Sequence, residues 1–435
     1  MAFRSPLAVF ATSMALAAGT AFVVARATAP AVDEELQREA AVYARIRNLI
    51  REEYVDEVEP RTVLYNALHG MVEGLDPYSR FYEPEETRSL EEETSGRFAG
   101  IGIVIEPGSL PITIAFPQPE SPAERSGLRV GDRIVEVDGL AVDEADPEEA
   151  RDRIRGREGT EVRLAVLPAD GGPRREILVR REGMRDTSVS LARILDPERR
   201  IGYLWISSFS EETVGEFDEA MEGLNRQGMK GLVLDLRFNP GGVLDAAVTL
   251  ANRFVREGLI VYTRGRTDES WDRKLADAEQ VRYEGVPVVL LQNGSSASAA
   301  EVLAGALQDH RVAVLLGEPS FGKGLVQSIR KLEDEHGAVK LTTARYYTPL
   351  GRTFERDERR RTGGIEPDVL VEVSERAERL LRAHLERYEV PERYRAEVEA
   401  RRRKQGVQEK PPPDPQLDAA LALLRGEPPR PRRIR

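Results

Sequence analysis

Three apolar runs of strand length, the first two each released by a turn into a segment of helical period, constrain this chain more than any other feature. Residues 231–237 (GLVLDLR) end at Asn239-Pro240-Gly241-Gly242 and give way to helical spacing over 243–254. Residues 286–291 end at the turn Asn293-Gly294 and lead into 297–308, where Val302, Leu303, Ala306 and Leu307 share one face; residues 312–316 form the third run. Apolar strands alternating with amphipathic helices predict βαβ units around a parallel sheet, and so an α/β fold. Ligands of such sheets bind beyond the carboxyl ends of the strands. Both glycine-bearing turns fall at such ends, so 239–242 and 293–299 are expected to meet in space.

The residues at those turns suggest a reaction. Almost every basic residue is arginine; the seven lysines are Lys230, Lys274, Lys323, Lys331, Lys340, Lys404 and Lys410, and Lys323 stands between Gly322 and Gly324. Arginine does not release its proton in a protein, whereas a desolvated lysine can. Ser298 falls in the first turn of the helix predicted over 297–308, where backbone N–H groups and the positive end of the helix dipole favour an oxyanion. The pairing predicts Ser298 as nucleophile and Lys323 as neutral general base, with Phe321, Leu325 and Val326 as apolar cover. Ser295 and Ser296 read as turn and cap residues. Gln327 would orient the lysine amine if 324–329 is extended. An oxyanion hole is expected from the N–H of Ala299 and one in the Gly241-Gly242 turn, where glycine admits close approach of the backbone. One such donor contributes roughly 3 kcal/mol to the transition state.

Composition bounds the rest. A chain of 435 residues, 40% hydrophobic, is long enough for two or three domains with their own cores. A net charge of −12 argues against a nucleic-acid surface, and the basic runs at 401–404 and 430–435 read as solvated ends. The absence of cysteine removes disulfides, thiolate catalysis and thiolate metal ligands, and His69, His310, His336 and His384 have no metal-ligand spacing. Neither a metal nor a cofactor is expected. Residues 1–30 hold an uncharged apolar stretch, 5–25, after Arg4, followed by small-residue cleavage patterns around Ala25-Arg26-Ala27-Thr28-Ala29. Both readings, cleaved signal peptide and retained membrane anchor, place the chain from residue 31 outside the cytoplasm, in the periplasm or cell envelope or secreted.

Residues 31–95 read as a helical region, with Val42, Ile46, Leu49 and Ile50 on one face and Val63, Leu64, Ala67, Leu68 and Met71 repeating the pattern until Gly74-Leu75-Asp76-Pro77 ends it. It carries no catalytic signature and is expected to be a structural or dimerising arm. Residues 96–185 change to short strands. Gly100-Ile101-Gly102-Ile103, Ser121-Pro122-Ala123 leading to Gly127-Leu128, and Gly131-Asp132-Arg133-Ile134 together resemble a PDZ domain. Such a domain captures a peptide C-terminal carboxylate on loop N–H groups while the peptide adds as a strand. Residues 186–373 hold the βαβ core, and 374–435 form a helical, charged and Pro-rich tail with a docking helix over 417–424.

The order of motifs resembles the C-terminal processing (tail-specific) serine proteases: Gly-Leu-Asp-Pro-Tyr-Ser at 74–79, the PDZ-like segment, Asp-Leu-Arg-x-Asn-Pro-Gly-Gly at 235–242, Ser-Ala-Ser-Ala at 296–299, Ala-Leu-Gln-Asp at 306–309, Gly-Lys-Gly at 322–324 and Gly-Gly-Ile-x-Pro-Asp at 363–368. The resemblance spans 35–373. It implies a ClpP/crotonase-like α/β protease core with an inserted PDZ domain and helical termini. It also implies a Ser298/Lys323/Gln327 triad, and a PDZ that docks protein or peptide substrates by exposed apolar C-termini and gates the site. Assembly into a homo-oligomer through the terminal helices is a further implication; delivery by an adaptor protein is left open. Ala300 departs from the family, which often has a further serine there.

Three rivals remain. Residues 317–323 nearly spell a phosphate-binding P-loop, but Gly324 stands where a Ser or Thr should bind magnesium and a strand pattern follows. A Ser-His-Asp hydrolase would need His310, which follows Asp309 at a helix end, and the chain has no Gly-x-Ser-x-Gly elbow around Ser298. A catalytically silent PDZ scaffold or chaperone would keep the fold without the reaction.

Overall fold

The structure, a computed structural model, describes residues 34–106, 109–142, 147–267, 271–332, 336–357, 362–385, 390–406 and 411–428. The expectation for residues 1–30 lies outside them. Among the described residues no helix is long and apolar enough to cross a membrane. The chain forms two units, one ending at Leu75 and one beginning at Asp76.

In the first unit the helical region is two helices, Glu34–Glu53 and Pro60–Glu73, where the apolar pattern alone suggested continuity. Pro60 explains the break: without an N–H it cannot sit inside a helix, but it opens one well. Leu36, Val42, Ile46 and Leu49 are exposed along the longer helix.

The second unit holds two cores. In the larger, a six-stranded sheet runs in the order Val189–Asp196, Ile201–Ile206, Gly231–Asp235, Val288–Gln292, Ala313–Gly317, Val369–Leu370. Only the first strand is antiparallel to its neighbour. The three predicted strands are its centre, in register Leu234↔Leu290↔Leu315. Their apolar runs are continuous because both faces are covered. Leu232, Leu234, Leu290 and Leu315 face helices Thr213–Arg226, Leu244–Asn252 and Ala299–Asp309, while Val233, Val289, Leu291 and Leu316 face Leu381, Leu385, Ala419 and Ala420 of the C-terminal helices Glu375–Leu385 and Pro415–Leu424. The tail is thus a layer of the fold. A second sheet, built on the long strand Ala338–Tyr347, pairs it with Arg80–Tyr82 and Leu259–Gly265 and, through a hairpin, with Leu325–Lys331.

The smaller core belongs to the β-rich segment, whose strands Ile103–Ile105, Ile112–Pro117, Arg133–Val137, Glu161–Leu167 and Arg175–Arg180 form an antiparallel sheet over Ile114, Ile134, Val162, Leu164 and Val166. Ile103–Ile105 is an edge strand. The chain enters and leaves through a two-stranded neck, Arg97–Gly100 against Glu182–Arg185, in register Gly100↔Glu182.

Candidate active site

The strand Val288–Gln292 delivers the chain to a tight turn sewn to the neighbouring loop. Ser296 Oγ donates to the Leu236 carbonyl (2.8 Å), Asn293 Oδ1 accepts the N–H of Phe238 (3.0 Å), and the Ala297 N–H donates to the Asn239 carbonyl (2.9 Å). Ser296 is spent on the turn, in line with its sequence reading. Ser298 follows with φ +55° and ψ −115°, a conformation L-residues avoid, and helix Ala299–Asp309 begins at the next residue. Holding it costs of order 1–3 kcal/mol, the kind of strain that gathers at functional sites.

The two glycine-bearing turns meet as the βαβ pattern predicts. A Cβ on Gly241 would lie 2.7 Å from Ser298 Cβ and 2.9 Å from the Ala299 nitrogen, and one on Gly242 would overlap the Phe209 carbonyl; both glycines have positive φ. The Gly241 N–H is turned into its own loop, donating to Asn239 Oδ1 (2.8 Å). Among the described residues the N–H groups of Gly242 and Ala299 donate to no protein acceptor.

Below this loop lies a buried ion cluster. Arg237, fully buried, donates to Asp235 (Nη2 to Oδ2, 2.6 Å) and as a fork to Asp414 (2.9 and 2.8 Å), while Tyr203 Oη donates to Asp235 (2.9 Å). Burial alone would ease the proton off Arg237, but the two aspartates outweigh it and hold its pKa well above the ordinary value. Gln416 joins Arg237 to the Val371 carbonyl, so the tail helix Pro415–Leu424 anchors the base of the glycine loop.

Glu301, which the sequence reading passed over, joins the serine to the lysine. Its Oε2 accepts the N–H of Ser298 and the N–H of Lys323, both at 2.8 Å; its Oε1 accepts Ser320 Oγ (2.6 Å) and the N–H of Gly322 (2.7 Å). Burial raises its pKa against these four bonds. The available signal was the Ser-x-x-Glu spacing of a capping box, Ser298 to Glu301.

Lys323 is half-buried, and its Nζ lies 5.1 Å from the centroid of the Tyr78 ring. Burial lowers its pKa from the ordinary lysine value and the charge of Lys340 lowers it further, while Glu301 and Glu93 oppose. The cover differs in part from expectation: the Phe321 side chain is 40% exposed beneath the Arg356 guanidinium, and Tyr78 faces the amine instead. Gln327 lies on the extended strand Leu325–Lys331; its Nε2 donates to Thr342 Oγ1 (2.9 Å), and its buried Oε1 accepts no hydrogen bond among the described residues.

The Gly100–Ile103 loop sits in the smaller core. Carbonyls of Ile101 and Gly102 accept from Ala123 and Gln118 (both 2.8 Å), Ile101 is buried, and a Cβ on Gly102 would overlap Ser121. The N–H groups of Ile101 and Gly102 donate to no acceptor among the described residues, and Ile103 opens the edge strand. His310 lies at the opposite end of the helix from Ser298, its Nε2 2.7 Å from the Leu259 carbonyl, so it cannot serve a Ser-His-Asp site there. The lysine turn runs into a strand, not the helix a P-loop requires.

A family model described as peptidase family S41 matches residues 200–371, and one described as a PDZ domain matches residues 113–168. The chain is similar to a carboxy-terminal-processing protease of Bartonella bacilliformis, 34% identical over 421 residues that cover 91% of this chain and 90% of the relative. It is also similar to a carboxyl-terminal-processing protease of Synechocystis sp., 37% identical over 332 residues covering 74% and 75%. Among solved structures, a photosystem II D1 C-terminal processing protease is 31% identical with a TM-score of 0.44, over 78% of this chain and 87% of that one.

Proposed function

Because this chain belongs to the carboxy-terminal-processing proteases of peptidase family S41, we propose that it cleaves extracytoplasmic polypeptides with Ser298 as nucleophile and Lys323 as general base, selecting them by exposed apolar C-termini. It is a serine-type peptidase carrying a PDZ domain. The observation that carries the residue assignment is the Glu301 carboxylate, one oxygen of which fixes both the Ser298 and the Lys323 backbone.

The neutral Lys323 amine takes the Ser298 Oγ proton as Oγ bonds to the scissile carbonyl carbon. The oxyanion so formed receives the N–H groups of Ala299 and Gly242, which have no other acceptor among the described residues, aided by the N-terminal end of the helix. Gly241 serves by having no side chain beside Ser298, since its own N–H is engaged. Collapse breaks the C–N bond; the leaving amine takes the proton back from Lys323, and water repeats the sequence on the acyl-enzyme with Lys323 again as base. The Gln327 carbonyl is the acceptor that orients the amine between steps. Substrate enters by its C-terminus, whose carboxylate meets the N–H groups of Ile101 and Gly102 while the peptide pairs with the edge strand Ile103–Ile105. The apolar stretch 5–25 supports export, and the exposed stripe on helix Glu34–Glu53 supports a homo-oligomer.

Mass-spectrometric digestion of an unstructured polypeptide with a free apolar C-terminus, by the full chain and by its Ser298→Ala and Lys323→Ala variants, tests this. Fragments from the parent alone are expected; cleavage by Ser298→Ala, or none by the parent, would overturn the reading.

A further inference from the structure

The Asp-Pro-Tyr-Ser run at 76–79 lies far from the serine and lysine in sequence, yet it lines the lysine side of the site. Asp76 folds the turn on itself: Oδ1 accepts the N–H groups of Tyr78 (2.8 Å) and Ser79 (2.9 Å), and Oδ2 accepts Ser79 Oγ (2.7 Å). The turn sets the Tyr78 ring 5.1 Å from Lys323 Nζ. It also grips the strand Ala338–Tyr347, where the Thr342 N–H donates to Ser79 Oγ at 3.0 Å. Thr342 Oγ1 in turn accepts Gln327 Nε2 at 2.9 Å.

The hydrogen bonds along this line decide how Gln327 stands. An ionised carboxylate only accepts hydrogen bonds. Asp76 takes the hydroxyl proton of Ser79, and this bond, with those from the Tyr78 and Ser79 N–H groups, outweighs its partial burial and holds its pKa below the usual value. Thr342, held to Ser79 Oγ through its own N–H, accepts from Gln327 Nε2 on its hydroxyl oxygen. The amide therefore offers its NH2 to Thr342 and turns its carbonyl the other way. That carbonyl oxygen is the buried one with no partner. Such a group is costly while unsatisfied and favours any donor that reaches it.

We propose that Asp76, Ser79 and Thr342 are positioning residues, a hydrogen-bonded chain that fixes the Gln327 amide by its NH2 so that its carbonyl is presented to the Lys323 amine. The proposal rests on the Ser298/Lys323 reading above. Substituting Thr342→Val removes the acceptor, and Asp76→Asn weakens the grip on Ser79 that holds Thr342 in place; Thr342→Ser keeps the hydroxyl.

The test is a double-mutant cycle in the full chain, reading cleavage and the rate at which a fluorophosphonate labels Ser298, which stays measurable in slow variants, with melting temperatures checking the fold. Thr342→Val and Asp76→Asn are expected to lower kcat about tenfold with KM unchanged, Thr342→Ser to restore it, and Thr342→Val to add less than about twofold on a Gln327→Ala background. A Thr342→Val rate within about twofold of the parent, or a loss that multiplies in full on Gln327→Ala, overturns the chain while leaving the protease reading intact. If Ser298→Ala cleaves or Lys323→Ala matches the parent, the underlying reading falls and this inference with it.

Discussion

Ser298 holds a positive φ without being glycine, and the Glu301 carboxylate that receives its N–H also secures Ser320, Gly322 and Lys323. Replacing Glu301 by Ala would strand four donors around a buried cavity, each at about 1–3 kcal/mol. A loss of several kcal/mol in chemical denaturation is therefore expected, with cleavage abolished; Glu301→Gln, which keeps one acceptor, should fall between. The proposed base has a separate signature. In that role Lys323 would work only when neutral, and burial together with Lys340 lowers its pKa below an ordinary lysine's. The rate should therefore climb with pH and level off earlier than free lysine would titrate. Removing the neighbouring cation with Lys340→Ala should move that climb to higher pH, which a pH profile of kcat/KM under chemistry-limited turnover reads directly. An unchanged or more acidic profile would count against the electrostatic pairing.

Among the secondary-structure elements, the C-terminal helices do more than close the chain. Helix Pro415–Leu424 covers the sheet and brings Asp414 to the buried Arg237 beneath the glycine loop. Breaking a buried pair from one side costs about 3–5 kcal/mol. Asp414→Asn should therefore lower the melting temperature and, by loosening residues 237–242, reduce kcat more than it changes KM. Helix Glu392–Lys404 performs a second attachment. Val398 packs with Phe116 and Val130, Tyr394 stacks on Phe116 with centroids 5.8 Å apart and pairs its hydroxyl with Glu124, and Arg401 Nε meets Glu106 at 2.6 Å. These contacts tie the tail to the small β-rich domain. Tyr394→Ala should speed hydrogen exchange in strands Ile103–Ile105 and Ile112–Pro117 while leaving the large sheet as it was; equal protection in parent and variant would mean the helix does not restrain the domain.

For the whole molecule, the neck fixes what can be removed. Gly100 and Glu182 are paired partners, so replacing residues 101–181 by a short turn should leave the protease core folded. With the edge strand and its loop gone, cleavage should lose its dependence on the substrate's C-terminus. Comparing rates on one polypeptide with free and amidated C-termini checks this, and a preference that survives the deletion would remove the docking role.

Much of the site was legible because its signals are local. Apolar period gave the three central strands and their helices to within about two residues at each end, since period reports which face is buried before any partner is known. Glycine placement marked the close approach beside Ser298, and the rarity of lysine singled out Lys323. The apolar period of the first helical region did not show its break, because the pattern passes through Pro60 while the backbone cannot. Glu301 left a trace in its spacing, but its second role, holding the lysine turn, requires residues 320–323 to fold back on the helix. The Asp-Pro-Tyr-Ser motif at 76–79 was visible, but its link to Thr342 was not: Ser79 and Thr342 are 263 residues apart, as Arg237 and Asp414 are 177 apart. The sequence by itself determined the βαβ core, the meeting of its two glycine-bearing turns and the candidates for the reacting side chains, because propensity and intrinsic chemistry belong to single residues and short windows. Tertiary structure alone decided the depressed pKa of Lys323, the direction of the Gln327 amide and the anchoring of the glycine loop. Those depend on burial and on which distant donors and charges packing brings within a few ångströms.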